Sequence, residues 1–332
     1  MSKRHVLLLV TPVSAGLLFF SLAGCKANPV YTAASTAGIP NESSAASAVT
    51  GDDAPPPEKT GGFDGKRAFA HVAKQVSFGP RPSGSPAIVQ LQSYLQSELV
   101  NYGCKVDTDA FTADTPVGRL PMKNIVAKIP GDKPGIILLA THYDTKLLPN
   151  FVGADDAGSS TGVMLELARL LCQKHGAYQV WITFFDGEEA MKEWSDTDSR
   201  YGSRQMAAKM AMSGELPKVK AFLLADIVGT RTPHFKRESD STKWLVDLVW
   251  SVAKNLGYGN IFLGEATQIS DDHDPFLKRH VPAADVIDLQ NWPGGDVFYW
   301  HTPEDTLDKI SAKSLAITGH VFLESVKQLQ TR

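Results

Sequence analysis

Polar and apolar positions alternate along the chain with two different periods, and the change between them marks its elements. Ile88, Leu91, Leu95 and Leu99 recur at helical spacing behind the turn-rich PRPSGSP, which predicts a helix ending near Tyr102. Residues 105–111 and 124–129 read as strands, with a turn over 115–118 between them. Three runs, 136–140, 180–185 and 221–225, are apolar at nearly every position. Such runs are expected of strands buried on both faces, because helices cover a parallel sheet above and below. Helices fit 163–172, 203–211, 242–255 and 311–328, with a short strand at 284–288. Helices alternating with fully apolar strands predict an α/β fold: a single domain with an open mixed, mostly parallel central sheet and helices on both faces.

The first 62 residues do not share this patterning. Lys3 and Arg4 precede an apolar run over 6–22, and Leu22-Ala-Gly-Cys25 follows. A basic start, an apolar stretch and small residues before a cysteine read as an export signal over 1–25. The LAGC ending resembles the bacterial lipobox, in which the cysteine is lipidated, so Cys25 is expected to carry acyl chains that hold the protein to a membrane surface of the cell envelope. Residues 26–62, rich in Ala, Ser, Thr, Gly and Pro, read as a flexible tether. Residues 63–332 are left for one large α/β domain. With net charge −3 and 21% charged residues, the chain has no basic excess to suggest nucleic acid. Of the three cysteines, Cys104 and Cys172 lie inside the domain; an oxidising compartment would permit a pair, and free thiols are the favoured reading.

In open parallel sheets, ligands bind beyond the carboxyl ends of the strands. The residues there form a pattern. Run 136–140 is followed by His142 and Asp144, and 180–185 by Asp186, Glu188 and Glu189. Run 221–225 is followed by Asp226, while Asp155, Asp156 and His301 stand in loops. Each alone is ordinary: a histidine after a strand usually makes loop hydrogen bonds, and adjacent acids usually sit on a solvated tip. Imidazole and carboxylate recurring at successive strand ends supply the donor set of a catalytic zinc with a position left open for substrate.

In chain order, HYDTK, GADDAG, FFDGEEA, DSRYGS, the Asp226 strand, DDHDPFL and WHTPEDTLD resemble the zinc-dependent aminopeptidase clan (M28), and within it the glutaminyl cyclase branch of animal type. The resemblance implies one zinc held by Asp156, Glu189 and His301. It makes Glu188 the proton shuttle and Asp226 and Asp271 further catalytic carboxylates. His142 matches a position that holds a second metal in the peptidases, and a cis peptide is implied at Asp156–Ala157. Trp194, Trp300, Phe298 and His273 are the expected pocket residues, with Trp292 and Tyr299 as alternatives to Phe298. Asp144 and Asp186 are expected to act as supports. The implied partners are peptide or protein N-termini bearing glutamine, acted on by a monomer. A two-metal aminopeptidase is the rival reading; a non-catalytic binding module fits less well, since it has no use for Glu188. Asp285 stands where animal cyclases carry histidine, and the 289–299 segment is several residues longer than theirs.

Overall fold

The computed structural model describes residues 54–290 and 292–332. Helix α1 (Gly65–Val76) starts where the Asp64 carboxylate accepts from the Lys66 and Arg67 amides. Helix α2 (Pro86–Asn101) starts behind Ser85, with proline in its first turn where a missing N–H costs nothing. The buried face of α2 carries Ile88, Leu91, Leu95 and Leu99, as its spacing predicts. A hairpin follows, β1 (Lys105–Thr115) and β2 (Gly118–Ile129), in register to the turn at 115–118. It is longer than the predicted strands, because β1 is an edge whose exposed positions dilute the apolar pattern.

Strand β3 (Ile136–His142), helix α3 (Gly158–Leu171), strand β4 (Gln179–Phe185), helix α4 (Tyr201–Ser213) and strand β5 (Val219–Asp226) continue the chain. Then come β6 (Phe235–Glu238), α5 (Lys243–Asn255), β7 (Phe262–Thr267), the short α6 (Asp274–Leu277), β8 (Ala283–Ile287) and α7 (Ala312–Leu329). The main sheet runs β1-β2-β4-β3-β5-β8, and a separate two-stranded sheet pairs β6 with β7. Strands β4, β3, β5 and β8 are parallel, whereas β1 and β2 are antiparallel. Every residue of β3 is buried, the pattern of a central strand with a helical layer on each face. One face packs under α1, α3, α5 and α7 with Ile137, Leu139, Ile182 and Leu223; the other packs with Leu138, Trp181 and Phe222 against Met206 and Met210 of α4.

Two expectations change here. Residues 54–62 are not a tether: Pro57–Lys59 form a 3₁₀ turn, Thr60 is buried and donates to the Phe63 carbonyl at 2.6 Å, and Ala54 packs on the core. The proline run preorganises that turn. Cys104 and Cys172 are disulfide-bonded, with Cα atoms 4.9 Å apart. Their separation of 68 residues hid the pairing, which arises where the turn entering β1 meets the end of α3. The export signal and Cys25 lie outside the described residues. No helix of the described residues is long and apolar enough to cross a membrane.

Candidate active site

Because β3, β4, β5 and β8 are parallel, their carboxyl ends meet at one edge of the sheet. In register, His142 lies beside Phe185, and Asp226 beside Ile287. Beyond β4 the chain turns through Gly187 at φ +71°, where a Cβ would lie 2.6 Å from the Met122 sulfur. That turn aims Glu188 and Glu189. The Asp144 carboxylate accepts from both their amides, at 3.1 and 3.3 Å, so this acid is a clamp. Asp186 is likewise a support: it accepts from Ser83, Gln92, Tyr143 and the Lys123 amide. Burial pushes its carboxyl up to about 7, with Asp144 acting in the same direction.

Asp156 lies just before α3, and its peptide bond to Ala157 is cis. Asp305 fixes this segment by accepting from the amides of Asp155 and Asp156 at 2.8 and 3.1 Å. Fully buried Arg81 donates to the carbonyls of Gln75, Gly79, Val152 and Gly153. Gly153, at φ +50°, is forced: a Cβ there would lie 1.9 Å from the Asp156 carbonyl oxygen. His301 arrives from the opposite side with φ +53°. Its Nε2 is 2.9 Å from Glu189 Oε1 and 3.2 Å from Asp156 Oδ2.

The donor atoms of Asp156, Glu189 and His301 lie within 4.8 Å of one another. Asp156 Oδ2 is buried without a hydrogen bond. Two carboxylates and one imidazole converging on one point, with a cavity on the open side, fit a three-ligand zinc site. Lys146 donates to the other Glu189 oxygen at 3.2 Å and to the Ala190 carbonyl, holding the carboxylate in place. His142, Asp156 and Asp226 form a second group of the same kind. In it, His142 Nε2 lies 3.2 Å from Asp156 Oδ1 and 3.1 Å from Asp226 Oδ1.

The cavity in front of these groups measures about 720 Å³, within the range of small-ligand sites. Glu188, Asp226 and Asp271 line its inner end. Burial pushes the Glu188 carboxyl well above the usual carboxylate range, opposed by His142 and reinforced by Glu189. Burial brings Asp226 up to about 6 and Asp271 up to about 7. Ile227, next to Asp226, is held at φ +46°, an outlier for a β-branched residue and the kind of strain that collects at working sites.

Trp194 and Trp300 line the cavity as expected, but Phe298 and His273 do not. Phe298 is 55% exposed. Its expected place goes to Trp292, which stacks on Trp300 at 4.2 Å between ring centroids; Trp300 in turn stacks on His301 at 3.6 Å. Tyr299 points the other way, buried, and donates to Asp155. His273 is fully buried, with Nε2 3.3 Å from Glu238 and Nδ1 4.0 Å from Asp285. Sequence reasoning missed Lys146, Asp305 and Arg81. All three stood inside quoted stretches: Lys146 ends HYDTK, Asp305 is one more acid of WHTPEDTLD, and Arg81 lies in PRPSGSP.

Residues 124–326 match peptidase family M28. The crystal structure of a glutaminyl cyclase from an Acidobacteriales bacterium is similar with a TM-score of 0.77 and 41% identity, covering 81% of this chain and 96% of that one. A Zn-dependent exopeptidase from Parabacteroides distasonis is similar with a TM-score of 0.73 and 29% identity, covering 81% and 99%. The Bos taurus glutaminyl-peptide cyclotransferase-like protein is 33% identical over 257 residues, which are 68% of this chain and 66% of that relative. The chain thus spans about 66% of that curated relative's length.

Proposed function

The chain belongs to peptidase family M28 and, within it, to the glutaminyl cyclases, and on that premise we propose that it converts the N-terminal glutamine of peptides or proteins to pyroglutamate with release of ammonia. The observation that carries this reading is the position of Glu188, which lines a tryptophan-walled cavity beside the Asp156–Glu189–His301 group without belonging to it.

Zinc, when bound by Asp156, Glu189 and His301, supplies Lewis acidity toward the side-chain amide carbonyl of the glutamine. The substrate's α-amine forms a bond to that carbonyl carbon, and the bond from the carbon to the amide nitrogen breaks. Glu188 takes one proton from the amine and delivers it to the departing nitrogen, a role worth about 10²–10⁴-fold. Asp226 and Asp271 accept hydrogen bonds from the amine and hold it in line. Trp194, Trp292 and Trp300 enclose the side chain and keep out water that would hydrolyse the amide instead.

The second group, His142, Asp156 and Asp226, favours a two-metal aminopeptidase as the competing reading. One paired assay separates them: a glutaminyl peptide and an unrelated aminoacyl amide, each with and without a zinc chelator. Chelator-sensitive cyclisation with no amide hydrolysis supports the cyclase, and the reverse result sinks it. One tightly bound zinc per chain is expected, and two would favour the peptidase. The export signal with lipid on Cys25 completes the reading: the domain works from a membrane surface, as a monomer. Moving the Cys25→Ser variant from the membrane fraction to the soluble fraction is the test of that anchor.

A further inference from the structure

At about 720 Å³ the cavity is larger than a single glutamine requires, and exposed charged residues line part of it. The mouth is bounded on one side by the segment after Glu189, with Lys192, and on the other by Asp240 and Gln268 beyond β6 and β7. Nearly every other ionised group nearby is engaged. Lys146 is held by Glu189, Asp274 pairs with Arg200 and Ser270, and Asp196 pairs with Arg200 and Lys278. Asp226 faces His142.

Asp240 differs. It is exposed, it lines the cavity, and its Oδ2 accepts a hydrogen bond from Gln268 Nε2 at 2.8 Å, which fixes the carboxylate at the rim. No lysine, arginine or histidine among the described residues pairs with it. Ile269, which lines the cavity next to Gln268 and is partly exposed, offers apolar surface for the stem of a long side chain. We propose that Asp240 forms a binding subsite for a cationic side chain, arginine or lysine, within the two residues that follow the N-terminal glutamine of the substrate. The proposal rests on the cyclase reading. It makes the chain selective for basic glutaminyl peptides through a residue that takes no part in the reaction.

The test compares kcat/KM at low ionic strength for Gln-Ala-Ala, Gln-Arg-Ala, Gln-Ala-Arg and Gln-Glu-Ala, using the zinc-loaded protein and its Asp240→Asn variant. Asp240 is exposed, so the variant should melt with the parent protein. The expected result is a preference of about twofold to fivefold for an arginine peptide over Gln-Ala-Ala, the range for a solvent-exposed ion pair. That preference should fade as salt is added. In Asp240→Asn it should disappear, with Gln-Ala-Ala turnover unchanged. Equal turnover of all four peptides by the parent protein overturns the proposal, as does an arginine preference that survives in Asp240→Asn. A preference for Gln-Glu-Ala overturns it too, and would put Lys192 in control of the mouth. If the zinc-loaded protein cyclises none of the peptides, the cyclase reading itself fails and this subsite falls with it, an outcome distinct from cyclisation without discrimination.

Discussion

The Tyr299 hydroxyl donates to the Asp155 carboxylate at 2.6 Å, and so ties the segment that carries His301 to the segment that carries Asp156. Asp155 also accepts from the Gly229 amide and the Thr230 hydroxyl, so three stretches of chain meet on one buried acid. Replacing Tyr299 by Phe keeps the ring and removes one bond. Groups that orient ligands in this way typically change metal affinity 10–100-fold. Tyr299→Phe is therefore expected to weaken zinc binding about tenfold while the fold persists, read by competition with a chelating dye and by circular dichroism.

Glu188→Gln preserves shape and hydrogen-bonding reach but cannot carry the proton. Turnover should fall by about 10²–10⁴-fold, with zinc content by elemental analysis unchanged. A variant that kept most of its activity would remove Glu188 from the proposed reaction.

The stack Trp292–Trp300–His301 separates the two aromatic candidates of the longer loop. Trp292→Ala opens the cavity wall and unstacks Trp300, so KM for a glutaminyl peptide should rise several-fold. Phe298→Ala, at an exposed position outside the wall, should leave KM within error. Steady-state kinetics on the pair of variants decides which aromatic meets substrate.

His71 supplies the pH dependence. Its ring nitrogens face the Tyr94 and Tyr102 hydroxyls at 2.6 and 3.0 Å. Burial lowers its pKa from 6.5 to about 4, with Arg67 and Arg169 pushing the same way. The unfolded chain therefore takes up this proton near pH 6.5, whereas the folded protein resists it until about pH 4. The stabilisation from neutral His71 is complete above pH 6.5 and is lost as pH falls toward 4. Between pH 7 and 4.5 the loss amounts to about 2 to 3 kcal/mol. Urea unfolding of metal-free protein should show His71→Gln losing less stability over that interval by about this amount.

The buried strands were legible because a both-faces-covered strand has no polar positions to confuse its pattern, and β3, β4 and β5 fell where 136–140, 180–185 and 221–225 placed them. Helix α1 was not read. Its Gly65-Lys-Arg opening and His71 hide a stripe of Ala68, Phe69 and Val72 that tertiary contacts with α3 and α7 complete. Strands β6 and β7 pair only with each other, and no apolar run marks them. In the site, the grouping of Asp156, Glu189 and His301 was anticipated because the resemblance named them, and acids and imidazoles able to hold a metal are visible by residue type. Arg81 and Asp305 were not, since a buried residue whose partners are backbone carbonyls or amides leaves no matching signature elsewhere in the chain. Phe298 was misplaced for a related reason: in a loop, neighbouring aromatics can be assigned to inside or outside only by the backbone path.

The Cys104–Cys172 bond makes the resistance of this domain to unfolding a property of its surroundings as well as of its sequence. Closing a loop of this length restricts the unfolded chain by about 4 kcal/mol, a large part of the margin by which domains of ordinary size stay folded. In a compartment that keeps thiols reduced, the same polypeptide would mature without that margin; where thiols are oxidised it would have it in full. Protein prepared under reducing and oxidising conditions should therefore differ in heat and protease resistance while sharing one active site, because the bond joins the two elements at their ends away from the sheet edge that carries the candidate site.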